Sequence, residues 1–278
     1  MKNILVPCDF SACAVEAFQF ARAIALKSKG AIHVLKAIDL PVMMVAGFDV
    51  QPYAYDPTLL RDLEADAREK FTKMMDRFGA DGLSITFHVT YEPPTVSIRQ
   101  FVKNNAIDLI VMGTKGSSGI NEYLIGSTTE KVVQKSKVPV IAVRKAQGLE
   151  QIRKIIFPTT LRLDQHALIE KVKELQAFFG ASLEVLWINT PMNFKTDLES
   201  KALLEDFARN YNLTNYHLHV RNDTIEEDAI AHFTHEIKGD LVAMATHGRR
   251  GLAHALMGSV TEDVVNHLQC PIWTFSLH

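Results

Sequence analysis

The residues best suited to chemistry lie in one stretch, Gly113-Thr-Lys115-Gly116-Ser-Ser-Gly119, followed by Ile-Asn-Glu-Tyr-Leu-Ile and then Gly126-Ser127-Thr128. Glycines let backbone amides approach an anion closely, and a helix opening at Ser127 would aim its positive end and free N–H groups at the same point. Ser127 and Thr128 add hydroxyls and Lys115 a mobile cation, so the set suits a di- or triphosphate. The spacing is not that of a Walker loop, and no Gly-x-Gly-x-x-Gly dinucleotide fingerprint occurs. It reads Gly-x2-Gly-x9-Gly-Ser/Thr at Gly113, Gly116, Gly126 and Ser127. A tight turn at Gly113 and Gly116 with no ligand is the plainer alternative.

Such a loop works only if a strand delivers it and a helix starts behind it. Apolar runs of four to seven residues alternate with longer amphipathic segments, the pattern of βαβ units around a parallel sheet. In the first half, strands are expected near 2–6, 31–38, 83–90, 108–112 and 139–143. Helices are expected near 12–28, 57–78, 95–105 and 127–136, the first capped by Ser11. Right-handed crossovers make this a five-stranded doubly wound sheet, whose ligands sit outside the carboxyl ends of the strands.

The pattern is written twice. Lys2-Asn-Ile-Leu-Val-Pro7 returns as Arg153-Lys-Ile-Ile-Phe-Pro158, Asp108-Leu-Ile-Val-Met112 as Asp240-Leu-Val-Ala-Met244, and Val138-Pro-Val-Ile141 as Cys270-Pro-Ile-Trp273. The offset is 151 positions at Pro7 and 132 from Ile98 onward, so the first half carries 19 extra residues, expected to include Leu40 to Pro57. Two tandem α/β domains follow, 1–145 and 152–278, joined by a short polar stretch.

Composition narrows the function classes. In 278 residues, 30 Lys and Arg balance 32 Asp and Glu, which argues against a nucleic-acid or membrane-surface partner. No run approaches the ~18 apolar residues of a membrane span. The opening segment, broken by Pro7 and Asp9, is not expected to act as a signal peptide. Three scattered cysteines suit neither a disulfide framework nor a Cys-based zinc site, so a cytoplasmic protein is expected.

The glycine loop, the duplicated layout and the string Val6-Pro7-Cys8-Asp9-Phe10-Ser11 together resemble the universal stress protein family, over both halves almost end to end. The resemblance implies the Rossmann-like fold shared with adenine nucleotide alpha hydrolases, and a loop that holds the phosphates and ribose of ATP. It further implies that Asp9 contacts the adenosine part and that Ala37, ending the second strand, lines the adenine slot. Pro7, Asp9, Ala37, Met112, Gly113, Lys115, Gly116, Gly126, Ser127 and Thr128 are the nucleotide-site residues so implied, with any Mg carried by the phosphates. From the residues alone, Asp9 either accepts from ribose hydroxyls or caps the helix at Ser11.

The second half departs from this pattern. Thr160 stands where Asp9 does, Ile188 replaces Ala37 and Ala245 replaces Gly113, a methyl where backbone should approach ligand. This half is therefore expected to bind ATP weakly or not at all. His247, Gly248, Arg249, Gly258 and Ser259 form a degenerate site, either structural or suited to another anion together with Arg250. Nine of eleven histidines lie from His166 onward, but His217-Leu-His219 and His232-Phe-Thr-His235 lack the Cys or carboxylate partners of a zinc site. No catalytic motif is present, and Glu122 and Glu130 are candidate bases by position only.

The last strand of each half is an apolar edge, which sheets normally cover or pair. In the family the final strand mediates dimerisation, so the resemblance implies an intrachain pseudo-dimer, with a homodimer of whole chains left open. The Met-rich segment Leu40 to Phe48 is read either as a partner surface or as a lid. The expected function is ATP-responsive regulation through a protein partner during stress. The alternatives are a weak ATPase or phosphotransfer enzyme, and a nucleotide-free scaffold holding a hydrophobic ligand through that segment.

Overall fold

The structure, a computed structural model, describes residues 1–39, 57–114, 126–247 and 268–277. The first half runs β1 (Asn3–Pro7), α1 (Ala12–Ser28), β2 (Ala31–Ala37), α2 (Pro57–Phe78), β3 (Ser84–Thr90), α3 (Pro94–Asn104), β4 (Leu109–Gly113), α4 (Ser127–Lys135) and β5 (Val140–Val143). The second runs β6 (Lys154–Pro158), α5 (His166–Phe179), β7 (Ser182–Asn189), α6 (Asp197–Asn210), β8 (Tyr216–Asn222), α7 (Glu226–Glu236), β9 (Leu241–His247) and β10 (Ile272–Leu277). The helix expected after Ser259 lies outside the described residues, as does the Met-rich segment through Asp56.

Local sequence accounts for these elements. Ala14, Ala17, Phe18, Ala21, Ile24 and Ala25 recur at helical spacing and bury one face of α1. The Ser11 hydroxyl accepts from the Ala14 N–H at 3.3 Å and starts that helix. β4, Leu-Ile-Val-Met-Gly, is buried along its whole length, as a central parallel strand should be.

Strand order is β3-β2-β1-β4-β5-β10-β9-β6-β7-β8, a single sheet of 10 strands. Within each half every pairing is parallel. The halves meet where β10 pairs β5 antiparallel, with Ile272 opposite Ala142, Trp273 opposite Ile141 and Thr274 opposite Val140. The intrachain pseudo-dimer is thus one continuous sheet. Strands run in opposite senses on its two sides, so the carboxyl ends of the two parallel sets face opposite rims.

One face of the sheet carries a core that passes without a break from the first half to the second, under α1, α2, α5 and α6. The other face has two smaller cores, one around Leu5, Ile98 and Val132 beneath α3 and α4, and one around Ile156, Ile230 and Phe233 beneath α7. The extra length of the first half is divided between two elements. Residues 38–56 join β2 to α2 where only 190–196 join β7 to α6, and α2 has 22 residues against 14 in α6.

Trp273 lies at the junction, 1% exposed and part of the continuous core. Its indole N–H has no hydrogen-bond partner. Trp273→Ala is expected to cost about 3–5 kcal/mol in urea unfolding. Trp273→Phe should cost about 1 kcal/mol, because it removes an unmatched buried donor along with some volume. Equal losses for the two variants would contradict this packing.

Candidate functional site

The carboxyl end of β1 delivers Pro7, Cys8 and Asp9 to a cavity of about 500 Å3. The chain then turns through Phe10, in the left-handed region at φ 64°, and enters α1. Asp9 Oδ1 accepts from the Ser11 N–H at 3.0 Å. The same side chain therefore supports the helix start and lines the cavity. β2 contributes Lys36 and Ala37, β4 contributes Met112 and Gly113, and α4 presents Gly126, Ser127, Thr128 and Thr129. Eight of the ten nucleotide-site residues expected from sequence meet in this cavity; Lys115 and Gly116 lie outside the described residues.

Two hydrogen bonds set α4 against β4. The Gly126 N–H donates to the Thr114 carbonyl at 2.7 Å, and the Thr129 hydroxyl donates to the Gly113 carbonyl at 2.7 Å. The mouth of the glycine loop is closed there, and α4 points its N-terminus into the cavity. Gly126 is the N-cap and supplies no capping side chain, and Ser127 and Thr128 of the first turn line the cavity. One region of the wall is apolar, with Ala37, Ile38, Ile98 and Met112, while Asp9, Lys36, Asp39 and Asp66 supply charge. An apolar slot, a carboxylate and a bare helix N-terminus fit the base, ribose and phosphates of a nucleotide.

Gly113 has a different purpose from the one its place in the loop suggests. A Cβ there would stand 2.7 Å from the carbonyl carbon and 2.8 Å from the carbonyl oxygen of Cys13, so the residue lets α1 pack on β4. The second half accommodates Ala245 because its helix starts later. The counterpart of Ala12 is Leu163, whereas α5 begins at His166. The Ala245 methyl thus stands on a strand whose facing helix starts three residues later than α1, and it lines the second cavity.

The turn before α5 is held by Tyr211, whose hydroxyl accepts from the Gln165 N–H at 3.0 Å and donates to the Arg162 carbonyl at 3.2 Å. Beside it lies a second cavity of about 480 Å3 at the equivalent position, lined by Thr160, Trp187, Ile188 and Ala245 among others. His247 ends β9, and Gly248, Arg249, Arg250, Gly258 and Ser259 lie outside the described residues.

The histidine pairs resolve differently. His217 Nδ1 and His219 Nε2 lie 3.1 and 2.8 Å from the two carboxylate oxygens of Glu184, a buried residue on β7 that also accepts from Ser182 at 2.7 Å. Sequence reading missed Glu184; its signal was a lone carboxylate in an apolar strand beside a strand with alternating histidines. His232 and His235 lie exposed on α7. Among the described residues no group of three or more His, Cys, Asp or Glu could hold a metal ion. Burial pushes the Cys8 and Cys270 thiols up to about 12, so neither is a reactive thiolate at neutral pH. Glu130 is in the first turn of α4 and accepts from Gln134, while Glu122 lies outside the described residues.

Two measurements test this geometry. Gly113→Ala should lose about 1–3 kcal/mol by chemical unfolding, because Cys13 backbone must move, whereas Ala245→Gly should cost about 1 kcal/mol or less. For Glu184, burial acts to raise the carboxyl pKa, but hydrogen bonds from His219, Ser182 and His217 outweigh it and hold the group below its ordinary value. Its contribution is then complete above the ordinary carboxylate range and is lost as pH falls through the lowered pKa. Glu184→Gln should destabilise by about 1–3 kcal/mol at pH 7. The gap should close as pH falls through the lowered carboxyl pKa, and a gap that persisted below it would refute the assignment.

Known proteins place the chain. The model of the universal stress protein family matches residues 1–144 and again 151–276. A universal stress protein of Methanocaldococcus jannaschii is 30% identical over 153 residues, covering 52% of this chain and 82% of its own length. A universal stress protein E homolog of Haemophilus influenzae is 25% identical over 222 residues, 70% of this chain and 71% of its own. A universal stress protein structure from Archaeoglobus fulgidus superposes with a TM-score of 0.73 at 20% identity, covering 99% and 96% of the two chains. With the family pattern present in both halves and its fold across the whole length, the chain belongs to the universal stress protein family.

Proposed function

We propose that the chain is an ATP-binding regulatory protein of the cytoplasm in which the first half, 1–145, takes the nucleotide and the second, 152–278, does not. The observation that carries this is the convergence of Asp9, Ala37, Met112, Gly126, Ser127 and Thr128 on one cavity from separate segments of the chain. Its volume falls within the ~300–1,000 Å3 usual for small-molecule sites. The base takes the apolar slot at Ala37 and Met112, the ribose faces Asp9, and the phosphates face the α4 N-terminus. Lys115 and Gly116 are assigned to the phosphates by their place in the loop. Replacement of Asp9 by Thr160 and Ala37 by Ile188 removes the ribose acceptor and narrows the slot in the second half.

Occupancy can reach a protein partner through α4. That helix packs on β10 and β9, and the Thr246 hydroxyl donates to its Val133 carbonyl at 3.2 Å. Phosphates ordering the N-terminus of α4 therefore act on an element bonded directly to the other half. This favours a role in which bound nucleotide alters the surface offered to a partner.

Calorimetric titration of the whole chain with ATP should show one site. Asp9→Ala should weaken it about tenfold, the loss of one charge-assisted hydrogen bond. Thr128→Glu, placing a carboxylate at the helix N-terminus, should weaken it more. Two equal sites, or none, would overturn the reading. Mass spectrometry of gently desalted protein should find an adenine nucleotide carried through purification.

A further inference from the structure

The second cavity has kept its place in the fold and changed its chemistry. Trp187 occupies the position of Lys36, Thr160 that of Asp9 and Ile188 that of Ala37. Four Asp and Lys side chains line the first cavity; in the second the ionisable wall residues are Lys195 and Glu226. Burial raises the Glu226 carboxyl pKa, with Glu227 adding to the effect, as expected of a group in apolar surroundings. Among the described residues the second cavity also has aromatic surface that the first lacks, in Trp187 and Phe194.

Its mouth is apolar where water would favour polar side chains. Met192 is 88% exposed and Phe194 66%, and Leu203 is exposed beside them. These are not residues of a loose loop. Asn189 clamps the 190–196 connection, accepting from the Lys195 N–H at 2.9 Å and donating to the Lys195 carbonyl at 3.0 Å, and Asn193 N–H closes a turn on the Thr190 carbonyl at 3.0 Å. The chain thus holds large apolar groups in solvent at the rim of a cavity, an arrangement that is unfavourable in proportion to the area left wet. A ligand that covers them recovers that energy.

One polar feature of the wall lacks a partner. Gln165 is 4% exposed, its backbone is fixed by Tyr211 and its side-chain N–H donates to the Thr160 hydroxyl at 3.4 Å, while its side-chain oxygen accepts no hydrogen bond among the described residues. A buried unmatched acceptor is destabilising, and a ligand donor would offset that penalty. We infer that the second cavity binds an uncharged aromatic small molecule carrying one N–H or O–H donor, its rings against Trp187 and under Phe194 and its donor on Gln165. This site is independent of nucleotide binding in the first half, since the two cavities open at opposite rims of the sheet.

N-phenyl-1-naphthylamine, an uncharged aromatic amine with one N–H, is a suitable probe. Titrated into the full chain, it should show saturable fluorescence enhancement with one dye per chain. Phe194→Ser and Leu203→Ser alter exposed rim side chains and should each raise the dissociation constant about tenfold with an unchanged circular dichroism spectrum. The anilinonaphthalene sulfonate with the same rings and an added negative charge should bind less tightly, and saturating ATP should leave the amine bound. Absence of saturable binding, rim variants without effect, tighter binding of the sulfonate, or displacement by ATP would each overturn the inference. None of these readouts requires that ATP bind, so failure of nucleotide binding in the first half remains a separate result.

Discussion

The molecule depends on the pairing of two strands that neither half can leave bare. β5 is Val-Ile-Ala-Val with all four residues buried, and β10 brings Ile272 and Trp273 at 1% exposure each. An apolar parallel sheet ending on such a strand would present unpaired backbone and oily side chains to water. Antiparallel pairing satisfies both edges at once and continues one core across the joint. It also has a geometric consequence. Because the second half enters the sheet reversed, its ligand crevice opens at the far rim, and no single small ligand spans both. The two crevices were free to diverge while the joint stayed the same.

How they diverged traces to where a helix begins. In the first half Ser11 caps α1 immediately after the turn at Phe10, and α1 sits so close on β4 that position 113 admits only glycine. In the second half the corresponding turn at Leu161 keeps its left-handed backbone, φ 56°, but the helix starts three residues after the position matching Ala12. Tyr211 does the work of the missing cap from across the core. Ala245, Trp187 and Ile188 line the crevice there, which gives it an aromatic wall and fewer ionisable groups than the first.

Much of this was readable in the chain. Alternating apolar runs and the repeated strings placed the strands and helices of the first half within about two residues, because parallel strands buried on both faces read as unbroken apolar runs. The place of Ser127 followed from the glycine spacing and the rule that loops at strand carboxyl ends meet, whereas Asp9 and Ala37 were assigned to the same site by the family resemblance. What escaped was set by contacts between distant segments. The reason for Gly113 lies in Cys13, a hundred positions away in sequence and touching in space. Glu184 gains its meaning only from register, which puts β8 and its two histidines beside β7. The span of α2, 57–78, was read correctly, but its share of the extra length was not, because an offset between repeats counts residues without saying which element holds them.

The position of α4 connects these points to function. It is stapled to β4 at its start, through Gly126 and Thr129, and bonded to the second half through Val133, where Thr246 donates to its carbonyl. A helix fixed at both places transmits a change at its N-terminus as a rigid element, and packed interfaces of this kind shift between discrete arrangements more readily than they deform. The second half is then best understood as the structure against which α4 is braced. Its own crevice has Thr160 in place of Asp9 and an aromatic wall without affecting that support, since Val133 and Thr246 meet at the joint and not in either cavity. On the proposed regulatory function, duplication with a reversed partner gives the second half a mechanical role that does not depend on what its crevice binds.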